Sequence, residues 1–128
     1  METFSRGTLE PAYVTGFVDA AGSFTYSRSS KQLALYFAVK VPAVDRPLLE
    51  DLQAFFGGVG RIYAEAYYRV TRREELMAIV EHFDRHPLQS SKREVYGLWR
   101  SMVLAKQEFR RPDRELLDRL ADEISHRR

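Results

Sequence analysis

The chain of 128 residues has no cysteine and a single tryptophan. Without cysteine there is no disulfide framework and no thiolate metal site, and a reducing compartment is permitted. No apolar run approaches the ~20 residues needed to span a bilayer. Met1 is not followed by a charged-then-apolar leader, so no secretory signal is expected, and the location expected is cytoplasmic or organellar. Low-complexity segments and clear linkers are lacking as well. So is a large charge excess: 20 Lys and Arg face 18 Asp and Glu, a net +2. Taken as a total, that charge argues against a strongly nucleic-acid-binding protein.

What is present is an ordinary balance, 45% hydrophobic and 30% charged, enough for one domain over residues 1–128 with one modest core. Residues 10–21 read as a short helix, with Pro11 in its first turn and Gly22-Ser23 ending it. Residues 23–28 alternate, with Phe24 and Tyr26 opposed to Ser23, Thr25 and Ser27. Residues 32–41 alternate again, with Leu33, Leu35, Phe37, Val39 and Val41 on one side. A hairpin turning at Ser29-Ser30-Lys31 follows, buried on one face. Residues 45–56 have helical spacing, with Asp45 as N-cap and Gly57-Gly58 as stop. Residues 59–63 and 67–71 form a second hairpin around Ala64-Glu65-Ala66. Helices are expected over 73–84, 91–105 and 112–124. The fold class is α+β, with a four-stranded antiparallel sheet.

The total charge conceals a pattern. Residues 22–43 hold Arg28, Lys31 and Lys40 and no acid, while residues 59–73 set Arg61, Arg69, Arg72 and Arg73 against Glu65 alone. Residues 85–102 carry a third basic block, and acids gather on the helices between. Both hairpins are therefore basic. The first offers Thr25, Ser27, Gln32, Tyr36 and Lys40 on its polar face; the second offers Arg61, Tyr63, Tyr67 and Arg69. Arg and Gln suit base edges, Ser, Thr and Lys suit phosphates, and a two-stranded ribbon fits a major groove. A polar face kept only for solubility is the competing reading. The sign alternation between elements favours binding.

Ala12, Gly16 and Ala20 recur every four residues along the first helix, opposite Val14, Phe17, Val18 and Ala21, which suit the core. Glycine in a helix interior costs about 1 kcal/mol relative to alanine. Close approach of another helix is the usual compensation. The partner is either a symmetry mate or a helix of the same chain.

Residues 14–24, V-T-G-F-V-D-A-A-G-S-F, resemble the LAGLIDADG motif of the homing endonucleases. The element order resembles that family's αββαββα core, with extra C-terminal helices about residue 112–125. The Q-L-A-L-Y-F-A-V-K-V strand, the G-G-V-G-R-I-Y turn and the H-P-L-Q-S-S-K-R segment extend the likeness over residues 9–106. The resemblance implies a saddle-shaped antiparallel sheet along the major groove of double-stranded DNA. It implies a homodimer on a long pseudo-palindromic site, with motif helices packed at the two-fold axis through Ala12, Gly16 and Ala20. It also implies divalent metal, normally Mg²⁺, bound by an acid at the end of each motif helix and used for phosphodiester hydrolysis.

The chain departs from the family where that acid belongs, because Ala21 occupies the position. Many relatives read D-A-E-G-S-F where this chain reads D-A-A-G-S-F. A methyl group holds no Mg²⁺, and the remaining ligand implied is the backbone carbonyl of Ala20. Cleavage is expected to be impaired or absent. The substitution is either an introduced inactivation, which the intact surroundings favour, or a natural loss. Asp19 lies about 200° round the helix from Ala21 and reads as a polar contact near the helix end or dimer seam. Lys92, with Arg93 beside it, matches the family's basic residue near the scissile phosphate; a helix-start surface cation is the alternative. Gln32 and Lys40 match DNA-facing positions, and Val41 a position that is polar in some relatives.

His82 and His86 have helical metal-pair spacing but no third ligand nearby. Trp99 reads as core, and the Arg-rich stretch from Arg110 as a solvated helix, with Arg127-Arg128 free to touch a phosphate. Alternatives to the endonuclease lineage are a naturally non-cleaving DNA-binding regulator, an intron-RNA splicing cofactor, and a small-ligand regulatory domain. RNA is possible as a partner without being indicated.

Overall fold

The computed structural model describes residues 8–109 and 113–127. Arg110 and Arg128, named above as a helix start and a phosphate contact, lie outside them. The order of elements is α1 (Pro11–Ala21), β1 (Gly22–Arg28), β2 (Leu33–Lys40), a 3-10 turn (Ala43–Asp45), α2 (Arg46–Phe55), β3 (Arg61–Tyr63), β4 (Tyr67–Val70), α3 (Arg73–Arg85), α4 (Lys92–Glu108) and α5 (Arg114–Arg127). The strands form one antiparallel sheet in the order β1-β2-β4-β3. The α+β class and the four antiparallel strands agree with the reading from periodicity.

Alternation splits the sheet into two faces. Phe24, Leu35, Phe37, Val39, Tyr68 and Val70 lie on the buried face. They pack with Leu49 and Leu52 of α2, Ile79 and Phe83 of α3, Trp99 and Met102 of α4, and Leu117 and Ile124 of α5 in one core. All helices thus contribute to the core on one side, and the polar side of the strands is left for something else. Polar groups inside the core are paired. Trp99 Nε1 donates to the Thr25 carbonyl at 3.0 Å, and Tyr96 Oη donates to the Val80 carbonyl at 3.1 Å.

Some boundaries differ from expectation for local reasons. Asp45 makes no side-chain capping hydrogen bond to α2 and instead closes the 3-10 turn, with its N–H on the Pro42 carbonyl. The second hairpin is shorter than the expected 59–63 and 67–71, because Gly60 turns with φ +79° before β3 begins. A Cβ at Gly60 would lie 2.7 Å from the Arg69 carbonyl oxygen. The turn is held from both sides: Gln53 Nε2 donates to the Gly60 carbonyl, and the Gly60 N–H donates to Glu75. Gly57 and Gly58 end α2 as expected, both with positive φ and with the Gly58 N–H on the Gln53 carbonyl.

Beside the end of α2, α1 is anchored to the C-terminal end of α3. The buried Thr15 hydroxyl donates to the His86 carbonyl at 2.9 Å and lies 2.9 Å from His82 Nε2. With the hydroxyl proton committed, His82 Nε2–H is the donor to Thr15 Oγ1. The His82 ring packs edge-on against Phe55, Phe56 and Phe83. Burial, with a contribution from His86, lowers its pKa to about 4. The folded protein therefore binds this proton less readily than the unfolded chain. Stability is fully present above about pH 6.5 and is lost as the pH falls toward 4.

Two outcomes follow from these features. Urea denaturation should show stability falling by about 2 kcal/mol between pH 7.5 and pH 5 from His82, a fall absent from His82→Gln once its own baseline is subtracted. Gly60→Ala should cost about 2–4 kcal/mol by the same assay, against about 1 kcal/mol for Gly57→Ala, whose added methyl meets open space.

Candidate nucleic-acid interface

The polar face of the sheet collects most of the residues singled out from sequence. Register places Ser23 beside Ala38, Thr25 beside Tyr36 and Ser27 beside Ala34 on the first hairpin. Lys40 lies opposite Tyr67, and Ala38 opposite Arg69. Arg61 lies opposite Arg69, and Tyr63 opposite Tyr67, with ring centroids 6.0 Å apart. Ser27, Tyr36, Lys40, Arg61, Tyr63, Tyr67 and Arg69 therefore share one surface. No carboxylate lies among these strand positions; Glu65 stands in the β3–β4 turn. The Arg69 guanidinium carbon sits 3.9 Å from the centroid of the Tyr36 ring. Burial, and the neighbouring Tyr36, raise the Tyr67 pKa, with Arg69 opposing them.

Four expected members, Arg28, Thr25, Lys31 and Gln32, stand apart. Arg28 falls on the opposite face, paired with Leu33. It reaches α5, where it makes ion pairs with Asp118 at 3.3 Å and Asp122 at 2.9 Å. An even step along the strand from Phe24 and Tyr26 decides this: an alternating strand sends Arg28 to their side. Thr25 has the right face but is only 8% exposed, so it offers little surface. Gln32 and Lys31 sit in the β1–β2 turn, where Ser29 Oγ accepts both of their N–H groups; they are exposed at the hairpin tip. Val41 is 7% exposed and belongs to the core.

The end of α1 forms a second group. Gly22 starts β1 directly after Ala21, with no loop between. Lys92, the first residue of α4, points its ammonium at this junction, donating to the Val18 carbonyl at 3.1 Å and the Gly22 carbonyl at 2.5 Å. Burial lowers its pKa, and Asp19 partly restores it. Asp19 accepts hydrogen bonds from the Gln89 and Ser90 N–H groups, at 2.9 and 3.0 Å, and from the Ser90 hydroxyl. Burial works against this carboxylate, but the bonds from Ser90 and Gln89 outweigh it and hold its pKa below the usual range. Asp19 therefore fastens α1 to the segment entering α4 and is turned away from Ala21. A cleft of about 390 Å³ opens here, lined by Asp19, Ser23, Ser90, Ser91 and Lys92 among others.

On the solvent side of α1, Ala12, Gly16 and Ala20 are exposed, and Tyr13 is 49% exposed, stacked on Phe17 with ring centroids 6.1 Å apart. A Cβ placed on Gly16 would meet nothing within 4 Å. Among the described residues, therefore, no helix packs closely on Gly16. Val14 and Val18 fill the core as expected, whereas Phe17 and Ala21 are only half-buried. His82 and His86 stack on one another at 5.1 Å, and His82 is committed to Thr15. Among the described residues no group of three or more His, Cys, Asp or Glu is placed to hold a metal. No helix among them is long and apolar enough to cross a membrane.

Two contacts were not read from the sequence. Thr15, a hydroxyl within an apolar helix, was the available signal for the Thr15–His82 link. Ser90-Ser91 ahead of a helix was the signal for an entry segment that Asp19 secures.

Comparisons with known proteins place these features in context. The family model for LAGLIDADG endonucleases matches residues 14–103. The chain resembles an uncharacterised 50.9 kDa protein in ND4 intron 1 of Podospora anserina, 32% identical over 114 residues, covering 80% of this chain and 25% of that protein. The fold resembles the crystal structure of the I-SmaMI LAGLIDADG homing endonuclease bound to cleaved DNA, with a TM-score of 0.79 and 31% identity over 89% of this chain. It resembles I-AabMI bound to uncleaved DNA, with a TM-score of 0.79 and 26% identity over 88%. In both cases the chain spans 42% of the larger protein. It also resembles the homing endonuclease I-TnaI, with a TM-score of 0.75 and 25% identity, covering 94% of this chain and 97% of that one.

Proposed function

The chain belongs to the LAGLIDADG endonuclease family, and from that premise we propose that it recognises double-stranded DNA as a homodimer, with phosphodiester cleavage impaired or absent. The observation that carries the reading is the polar face of the sheet. Arg61 and Arg69 stand directly opposite each other there, an arrangement that costs stability in an isolated hairpin. Lys40, Lys31 and the tyrosines extend the basic, hydrogen-bonding surface, with no acid on the strands to neutralise it. A polyanion lying across the face relieves that repulsion, and counterion release from it supplies affinity. The solved relatives I-SmaMI and I-AabMI are bound to DNA, which supports DNA as the partner.

Two copies meeting through α1 explain the exposed stripe. Ala12, Gly16 and Ala20 permit close approach of a second helix, and Tyr13 flanks them. The two sizes of solved relative, one matched over 97% of its length and others over 42%, support a unit used in pairs. A long pseudo-palindromic site follows from such a two-fold arrangement.

The oxygen donors that Mg²⁺ requires are not assembled at the end of α1. Ala21 supplies a methyl group, Asp19 is consumed by Gln89 and Ser90, and the Val18 and Gly22 carbonyls are held by the Lys92 ammonium. The Ala20 carbonyl alone is a poor site for a hard divalent cation, and a neighbouring ammonium opposes it. These residues do not fit the metal, and no hydrolytic step is assigned to them. Lys92 stands where it can meet a phosphate oxygen on DNA laid across the sheet. The missing acid also favours a natural regulator on this scaffold, acting by occupancy instead of cutting; binding to an intron RNA is the outcome that would redirect that reading.

The parent protein should select a two-fold-related duplex from a randomised pool, with affinity falling at least about tenfold between 50 and 200 mM salt. On that duplex with Mg²⁺, Ala21→Glu should cleave on the order of 100-fold faster than the parent or more; equal rates would sink the claim of impairment. Gly16→Leu should convert the dimer to monomer by sedimentation while keeping a cooperative melt, with its melting temperature falling below the parent's only at concentrations where the parent is dimeric. A Gly16→Leu protein that remained dimeric would place the contact elsewhere.

A further inference from the structure

Arg69 is the least settled residue on the polar face. Its Nε is buried and has no hydrogen-bond partner. Its charge faces that of Arg61 across the strand pair. Among the described residues no carboxylate pairs with it, whereas Arg28, Arg100, Arg114 and Arg127 all have one. Yet Arg69 is not loose. Its cross-strand neighbour on β2 is Ala38, a small side chain. The guanidinium lies over the diagonal neighbour Tyr36, 3.9 Å from the ring centroid. Stacking on a ring satisfies the face of a guanidinium and fixes its plane, but leaves the edge N–H groups outside the stack without acceptors.

A planar fork held in this way asks for two acceptors lying in its plane. The Hoogsteen edge of guanine, with O6 and N7, presents that pair in the major groove. A phosphate presents paired oxygens too, but tolerates many approach angles and gains little from a fixed plane. Position separates the two uses. Arg69 lies on β4, an inner strand of the four, while Lys31 at the exposed hairpin tip reaches outward. Cations at the rim suit the backbone; a held fork in the middle of the sheet suits base edges.

We infer that Arg69, held in plane by Tyr36, is a specificity-determining residue that selects guanine at one base pair of the bound duplex, repeated by symmetry when two copies bind. Tyr36 acts through Arg69 as a positioning residue. The inference rests on the DNA-binding reading above and names one element of sequence within it.

The test is selection of a randomised duplex by the full chain, run in parallel for the parent, Arg69→Lys, Tyr36→Phe and Tyr36→Ala. Salt titrations on the selected sites and thermal melts for folding accompany it. The parent consensus should contain a guanine column that disappears with Arg69→Lys. On the parent site, replacing that guanine should weaken parent binding roughly 5- to 150-fold and Arg69→Lys binding hardly at all. Lysine keeps the charge, so the salt slope should be unchanged. Tyr36→Phe keeps the ring and should keep the guanine column, while Tyr36→Ala should blur it. An Arg69→Lys consensus identical to the parent's, or a loss of affinity equal for every sequence, would overturn the assignment and make Arg69 a phosphate contact. A parent that enriches no duplex at all would instead overturn the DNA-binding reading, and this inference with it.

Discussion

The passage of α1 into β1 at Gly22 is the constraint on which the arrangement of this protein depends. A Cβ at this position would come within 2.6 Å of a Val18 methyl, so only glycine lets the helix hand over to the strand without a loop. That direct junction fixes the end of α1 against the first strand of the sheet. Lys92 then holds the helix-end carbonyls, and Asp19 binds the segment that leads into α4. One backbone turn thus brings together a helix face, a sheet surface and a cation whose sequence positions are some seventy residues apart.

The sheet has a division of labour that follows from its period. Residues at alternate positions enter the core with all five helices, and among the described residues most of the remainder stay at least partly exposed. Burial of the first set fixes the register, and the register in turn decides which basic side chains meet. The repulsion between Arg61 and Arg69 is therefore a consequence of packing on the other face. The apolar core, which supplies most of the stability, tolerates a surface arranged for a partner.

Much of this was legible in the sequence because it depends on local periodicity. Alternation in residues 32–41 placed Tyr36 and Lys40 on one side and Phe37 and Val39 on the other, and the structure agrees. Glycines at 57 and 58 marked the end of α2 for the same reason. The stripe on α1 was visible, and in the folded chain it is exposed, with no described atom within 4 Å of a Cβ placed on Gly16. What remained hidden depends on contacts between distant segments. Arg28 was counted with the DNA contacts for its charge, although its place in the alternation put it with Phe24 and Tyr26; its carboxylate partners lie ninety residues away on α5. The stacking of Arg69 on Tyr36 needed the β2–β4 register, which neither strand encodes alone. His82, set aside as a metal ligand for want of a third partner, is bonded to Thr15 from another helix, a contact no local pattern announces.

The helices also treat the first hairpin in a way that bears on how copies of this chain avoid sticking together. Lys92 reaches the Gly22 carbonyl, Trp99 that of Thr25, Lys106 that of Leu33 and Arg114 that of Ser29. β1 is an edge strand, and an edge with free carbonyls is a template for another chain's strand. Here side-chain donors have already claimed two carbonyls of β1 itself, those of Gly22 and Thr25, and α4 and α5 lie close by. The hairpin is consequently a poor seed for β-pairing between molecules, despite its apolar and aromatic run from Leu33 to Val39. Crowded together, two copies find little to join along this border.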